Sequence, residues 1–312
     1  MIFIAKCPLR IGLVGGSTDL EEFIQKYEIG KVISFPTTLN VYISVHDNNR
    51  NLYIVNYSSN EEHETIDDIH NDVARIVLKH FRVGPVTISF LSDIISTGSG
   101  LASSTAYMIA AIKALSLYAK KHLTEFEICK LAIELERKYN THTGYQDAYG
   151  CGVGGFKKIS FPKNKSPIFI YFNTEFIRAN FDMVLYHTGI SRNSTQVLKS
   201  YNTDNCYHLL EKADLIEEAI ENKNVESFLK VFNESWKIKK RTSNSIANSV
   251  ELKEWDKALE SNQNILARKL LGAGGGGYFF ALCKKGKAPK QIKNSVAINI
   301  NINENGVVGV EL

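Results

Sequence analysis

The sequence predicts an α+β fold. Three observations predict it: β-branched runs near the N-terminus, long stretches free of helix breakers in the middle, and glycine clusters between the two kinds of segment. Lys31–Val45 and Leu52–Tyr57 are rich in β-branched residues and read as strands, and Val86–Leu91 alternates as a strand should. Asn60–Asp72 is acidic and polar and reads as a surface connection into a helix over Asp72–Phe81. Ser96–Ser104 is a glycine- and serine-rich loop that opens a helix over Ser103–Lys121. A second helix follows over Thr124–Tyr139. Thr124 and Glu127 have the spacing of a capping box, in which hydroxyl and carboxylate each satisfy a free amide.

Gly150–Gly155 breaks the helical pattern before a strand at Phe156–Phe161, and Pro162–Pro167 reads as a hinge. The expected division is therefore 1–172 and 173–312. Beyond it, Met183–Tyr186 reads as a strand and Asn205–Asn222 and Val225–Lys240 as helices. Asn262–Leu271 reads as another helix leading into Gly272–Gly277, with strands at Tyr278–Leu282 and Val296–Ile302.

Bulk properties exclude several classes. With 312 residues, 44% hydrophobic and 22% charged, the chain has the profile of a globular protein with a sizeable core. A net charge of +4 is too mild to point to nucleic acid, yet it allows a basic cleft for a small anion. The five cysteines are scattered with no CxxC, the pattern of reduced thiols rather than of a disulfide framework or a zinc site. No segment approaches the roughly 18 apolar residues of a membrane helix, and Met1–Arg10 lacks a cleavable leader pattern. A cytoplasmic location is expected.

Four segments carry chemistry. Gly98-Ser-Gly-Leu-Ala-Ser-Ser-Thr105 joins a glycine turn to a helix start, and exposed amides with the positive end of a helix dipole bind phosphate. Gly98, Ser99, Gly100, Leu101, Ala102, Ser103 and Ser104 are the expected phosphate cradle, though a glycine-rich turn with a serine cap would explain them as well, and the Ser103 and Ser104 hydroxyls could ligate Mg²⁺. The loop lacks the Gly-Lys-Ser/Thr of a Walker A motif. Gly272–Gly277 matches GxGxxG by spacing, but a dinucleotide fingerprint needs a strand before it and a helix after it. Pro8–Asp19 places Arg10 and Asp19 at either end of a strand and a glycine turn; an Arg–Asp ion pair would explain them as well as a ligand would. Glu136 and Asp147 lie eleven residues apart, and phosphoryl transfer uses one carboxylate on a metal and one beside the attacking hydroxyl. Glu136 read alone could equally be a solvated helix carboxylate. Arg192 is a candidate anion contact, and Trp236–Arg241 is a basic helix end.

The order of these segments resembles the GHMP kinase superfamily. Pro8–Asp19 looks like its first motif, Gly98–Ser104 like its phosphate loop and Lys269–Gly277 like its third motif. Within it, Val14–Asp19, Thr143–Asp147, Thr188–Arg192 and the Trp-x-x-Lys-Lys of Ser235–Lys240 are similar to D-glycero-D-manno-heptose 7-phosphate kinases. The resemblance implies a two-lobed fold, with an N-terminal domain like ribosomal protein S5 domain 2 and a ferredoxin-like C-terminal domain. It implies ATP as donor, Mg²⁺ on Ser104 (or Ser103) and Glu136, and transfer to the C1 hydroxyl of a heptose 7-phosphate.

Asp147 would orient or deprotonate that hydroxyl and Arg10 would stabilise the transferring group. Gly16, Ser17, Thr18 and Asp19 would hold the sugar, Gly274 and Gly275 would shape the site, and Arg192 and Lys240 would contact the sugar's phosphate. The expected partner is a small-molecule sugar phosphate, with a homodimer open and neither nucleic acid nor membrane. An unphosphorylated sugar such as fucose or galactose is the alternative acceptor, and a non-catalytic protein of the same fold the remaining one. Two departures stand out: Ile95-Ser-Thr97 lacks the proline common before the phosphate loop, and the third loop glycine is Ala102, expected to keep a negative φ.

Overall fold

The computed structural model describes residues 1–190, 206–242 and 246–312. The chain begins with β1 (Ile2–Val14), α1 (Glu21–Tyr27), β2 (Ile29–His46), β3 (Tyr53–Asn56) and β4 (Asn60–His63). After a 3-10 turn come α2 (Asp72–Phe81), β5 (Thr87–Ser92), α3 (Ser103–Tyr118), α4 (Glu125–Glu136), α5 (Gln146–Gly152), β6 (Lys157–Pro162) and β7 (Ile168–Tyr171). Then follow α6 (Glu175–Asn180), β8 (Phe181–His187), α7 (His208–Glu221), α8 (Val225–Thr242) and α9 (Val250–Glu260). The last elements are β9 (Ile265–Leu270), β10 (Tyr278–Lys284), β11 (Gln291–Ile292), β12 (Ser295–Val296), β13 (Ile298–Ile300) and β14 (Val308–Glu311).

Among the described residues, eight strands form the first sheet. Its spine is β2, 18 residues long. The first half of β2 pairs with β6, the second half with β5, and β1 lies along both. Register shifts in the β1–β2 ladder fall between Pro8 and Arg10 and between Gly12 and Val14. Such bulges re-aim side chains, and here they flank Arg10. The outer edge of β1 pairs with β14, from the far end of the chain.

Helix α3 packs across β1 and β2 and is buried on nearly every side, as its run of Ala, Ile, Met and Leu requires. The second sheet runs β13-β8-β10-β9, all antiparallel, with α8 and α9 against β9. Phe35 of β2 meets Phe280 of β10 at 6.2 Å between centroids, and Phe280 meets Phe232 of α8 at 6.3 Å. One apolar core therefore runs through both sheets.

The α+β expectation holds, and four local expectations do not. Residues 265–270 form a strand rather than a helix, because Leu270 pairs with Phe279 in register on the central strand β10. Pairing there overrides the helix propensity of Leu-Ala-Arg-Lys-Leu. Helix α5 runs through Gly150 and Gly152 instead of breaking there. A Cβ on Gly152 would lie 2.3 Å from Cys129 Sγ, so glycine answers to close packing. Residues 162–167 are the turn of the β6–β7 hairpin, with Ser160 opposite Ile168. Finally, β4 pairs with β3 inside the expected connection, and α1 and α9 are additional helices. Ser249 starts α9 by accepting from the Leu252 amide.

Candidate active site

The loop before α3 turns through left-handed backbone three times, at Gly98 (φ 64°), Gly100 (φ 81°) and Ala102 (φ 66°). These turns carry successive amides toward the N-terminus of α3, where unpaired N–H groups and the helix dipole favour an anion. Ser103 Oγ closes the loop, bonded to Ser99 Oγ and Ser96 O at 2.7 Å each. Ser104 is exposed instead, 3.4 Å from Tyr139 Oη. Of the two hydroxyls, only that of Ser104 is therefore available to a ligand.

Ala102 contradicts the expected negative φ. A left-handed L-residue costs about 1–2 kcal/mol, partly offset by the lower chain entropy that alanine loses on folding. Ala102→Gly is expected to stabilise the protein by about 1 kcal/mol, read as a rise in Tm. An unchanged or lower Tm would count against strain at this position.

Glu136 ends α4 and is only 3% exposed. Its Oε2 accepts from Thr105 Oγ1 at 2.7 Å, and burial pushes its carboxyl up to about 7. A buried carboxylate beside an exposed hydroxyl is a hard-oxygen donor set that suits a divalent cation, and such a cation would restore the carboxylate's charge. The residues present thus fit Mg²⁺.

Arg10 crosses the base of the same cavity. Its Nε and Nη2 donate to Asp147 Oδ1 at 3.0 and 2.7 Å, and its Nη1 donates to Gly100 O at 2.8 Å. Burial pulls the Arg10 pKa down, but neighbouring groups, Asp147 foremost and Asp19 among them, together more than offset this and the net shift is upward. The Asp147 side chain is 39% exposed and lies in the first turn of α5, facing the cavity. Asp19 is buried, which raises its pKa. Its two oxygens accept the amides of Ser17 at 3.0 Å and Gln146 at 2.9 Å, so it fastens the glycine turn to the start of α5.

Two lysines complete the floor. Lys239 Nζ donates to Ser17 Oγ at 2.7 Å, and Lys269 Nζ donates to the carbonyls of Gly12 and Leu13 at 2.8 Å each. Burial, then Lys239 and Arg10, hold the Lys269 ammonium well below its ordinary value. The cavity measures about 560 Å³, and Arg10, Ser104, Glu136, Asp147, Lys239 and Lys269 all line it.

The β9–β10 hairpin closes against the loop. Tyr278 N donates to Ser99 O at 3.1 Å. A Cβ on Gly277 would lie 2.4 Å from Ser99 O, and one on Gly100 2.5 Å from Leu271 O. The glycines are required for two backbones to approach this closely.

Comparison with known proteins gives this arrangement a family. The N-terminal domain model of the GHMP kinases matches residues 68–155 and their C-terminal model matches residues 216–301, together more than half of the chain. The chain belongs to the GHMP kinases. Among its relatives is a D-glycero-alpha-D-manno-heptose 7-phosphate kinase of Campylobacter jejuni, 28% identical over 298 residues that cover 88% of this chain and 87% of the relative. An L-fucokinase/L-fucose-1-P guanylyltransferase of Bacteroides fragilis is 24% identical, covering 71% of this chain and 24% of that protein. Among solved structures, a D-glycero-D-manno-heptose 1-phosphate kinase from Bacteriodes thetaiotaomicron superposes with a TM-score of 0.80 at 20% identity, over 99% of both chains. The two-lobed GHMP kinase fold is therefore the fold of this protein.

Within this GHMP kinase fold, several candidates lie elsewhere than expected. Lys240 is turned away from the cavity, with Nζ 2.6 Å from Asp256 Oδ2 and 5.4 Å from the centre of the Trp236 ring. The residue before it, Lys239, enters instead. Ser235 and Lys239 share one face of α8, while Trp236 and Lys240 share the next. Helical spacing from Trp236 could have separated the two lysines.

Gly274 and Gly275 are engaged with Ile246: the Gly275 amide donates to its carbonyl at 2.8 Å, and a Cβ on Gly274 would lie 2.6 Å from its Cα. Of the glycine turn that joins β9 to β10, the residues that line the cavity are Gly272 and Ala273. Thr18 is fully buried and clips Gly15 O and Lys31 O, whereas Gly16 and Ser17 face the cavity. Leu101 is a core residue whose carbonyl accepts from Arg10 N. His142, on the loop before α5, lines the cavity. Arg192 lies outside the described residues.

Proposed function

We propose that this GHMP kinase transfers the γ-phosphoryl group of ATP to a sugar phosphate, D-glycero-D-manno-heptose 7-phosphate at its C1 hydroxyl, giving the 1,7-bisphosphate. The observation that carries the transfer chemistry is the single cavity into which the amide loop, the Ser104–Glu136 oxygens and the Arg10–Asp147 pair all open. In this reading residues 1–172 form one domain that supplies the loop and both carboxylates. Residues 173–312 form the other, which supplies Lys239 and the glycine hairpin and sends its final strand, β14, back to the sheet of the first.

The amides of Gly98–Ser104 and the start of α3 hold the phosphates of ATP. Ser104 and Glu136 would hold Mg²⁺, which offsets phosphate charge. Asp147 receives the acceptor hydroxyl. Both Arg10 bonds fall on Oδ1, so Oδ2 is the atom that takes the hydroxyl proton. As the new O–P bond forms, the bond from the γ-phosphorus to the bridging oxygen breaks and ADP leaves. The fixed guanidinium of Arg10 balances charge on the group in transit. Asp19, Gly16 and Ser17 shape the sugar subsite.

Two observations support a phosphorylated acceptor: the relatedness to a heptose 7-phosphate kinase along most of both chains, and a lysine ammonium on the cavity floor. A charge-assisted hydrogen bond is worth about 1.5–3 kcal/mol, or roughly 10- to 150-fold in affinity. Lys239→Ala is accordingly expected to raise KM for the sugar phosphate by at least about tenfold while KM for ATP changes little. Equal effects on both substrates would remove Lys239 from this role.

ADP release should be measured over a panel holding heptose 7-phosphate, fucose, galactose and mevalonate. Turnover of a neutral sugar with none on heptose 7-phosphate would overturn the acceptor assignment. Absence of turnover with every acceptor would favour a non-catalytic protein of this fold.

A further inference from the structure

We propose that Glu61, His63 and His70 form a site for one divalent transition-metal ion, with Zn²⁺ as the best match, on the outer edge of the first sheet and apart from the kinase cavity. Glu61 and His63 stand two apart on β4, so their side chains share one face of the strand. His70 comes from the segment that enters α2, whose N-cap is Asn71. One ligand atom from each of the three lies within 4.8 Å of the other two. His63 Nε2 is 3.0 Å and His70 Nδ1 is 4.0 Å from the same oxygen, Glu61 Oε2. Ligands on a tetrahedral zinc at about 2.0–2.1 Å sit roughly 3.3 Å from one another. Small side-chain movements close the difference, and His70 is free to make them because its side chain is 81% exposed.

The carboxylate is held the way ligating carboxylates are held. Glu61 is only 6% exposed, Tyr57 Oη donates to its Oε1 at 2.5 Å, and the His70 amide donates to Oε2 at 2.7 Å. Outer partners of this kind fix a ligand's orientation. The exposed His70 leaves a route for the ion and room for water as fourth ligand. Two imidazoles with one carboxylate suit Zn²⁺, whereas Mg²⁺ and Ca²⁺ prefer oxygen alone. A bare hydrogen bond explains His63 on Glu61, but it gives no reason for the second imidazole, whose ring lies 5.3 Å from the first.

A bound ion would tie the edge strand β4 to the start of α2. Helix α2 packs on α3, which carries the glycine loop at its N-terminus. Binding to the folded form alone would raise Tm with metal concentration.

The test is calorimetric titration of Zn²⁺ into the full chain in excess Mg²⁺, alongside the single variants His63→Ala and His70→Ala. One equivalent is expected in the native protein, with a Tm rise, and at least about tenfold weaker binding in either variant. His70→Ala changes an exposed side chain outside the cavity, so its kinase turnover without Zn²⁺ should match the native value. Co²⁺ in place of Zn²⁺ should give the visible absorption of a four-coordinate ion, lost in both variants. No uptake by the native chain, or equal uptake by all three proteins, would overturn the site.

Discussion

Asp147→Asn is expected to lower turnover by about a hundred- to ten-thousandfold, with nucleotide affinity almost unchanged. Asparagine keeps an oxygen where Arg10 Nε and Nη2 now bond, so the guanidinium retains its acceptor and its third bond to Gly100 O. What disappears is the carboxylate that takes the acceptor's proton. Removing the negative charge also leaves Arg10 buried without its counter-ion, and some loss of Tm follows. Because Asp147 is 39% exposed, water softens that loss. Turnover should therefore be measured per folded molecule, together with nucleotide titration of the same preparation. Undiminished transfer would remove Asp147 from the chemistry. A collapse in nucleotide affinity would instead mean that the Arg10–Asp147 pair shapes the loop.

The second large effect is expected at Gly277. Its φ is 89°, and a Cβ there would lie 2.4 Å from Ser99 O and 2.6 Å from Gly98 O. Backbone atoms cannot rotate aside as side chains do, so the hairpin and the loop must separate. Gly277→Ala should cost about 2–5 kcal/mol, combining left-handed strain with overpacking. It should also raise KM for ATP, because the displaced carbonyls belong to the residues that carry the amides. Gly286→Ala is the control: φ is 71°, with nothing within 4 Å of the added Cβ. Only about 1 kcal/mol is expected there. Equal losses of Tm in the two variants would show that backbone conformation, not contact between the loops, is what glycine supplies at 277.

The sequence was informative where local chemistry and final contacts agree. The helix expected at Asp72–Phe81 is found with those bounds, and in the fold Asn71 caps it by accepting from the Ala74 amide. The glycine loop before α3 was legible too. Its relation to the third glycine segment was visible only as a resemblance, since contact between Gly277 and Ser99 joins residues far apart in the chain. Residues 265–270 were misread because their composition is helical and their strand state comes from β10. Lys239 and Lys240 show a finer limit. Both are basic; helical spacing sets them on different faces of α8, and the packing of α8 against the first lobe then decides which face reaches Ser17. Ala102 was a matter of backbone conformation, which residue type constrains without fixing.

The ladder between β1 and β14 has a consequence for how the molecule is made. Residues 2–14 leave the ribosome well before residues 308–311, which emerge only after the strands and helices of the second sheet have been synthesised. Until then the outer edge of β1 presents unpaired amides and carbonyls, the kind of surface on which nascent chains associate. Loop closure over nearly the full length must precede this pairing, which makes it a late and slow event. The first lobe is therefore not a self-sufficient unit during synthesis. Its sheet is finished by β14, which emerges after the second sheet.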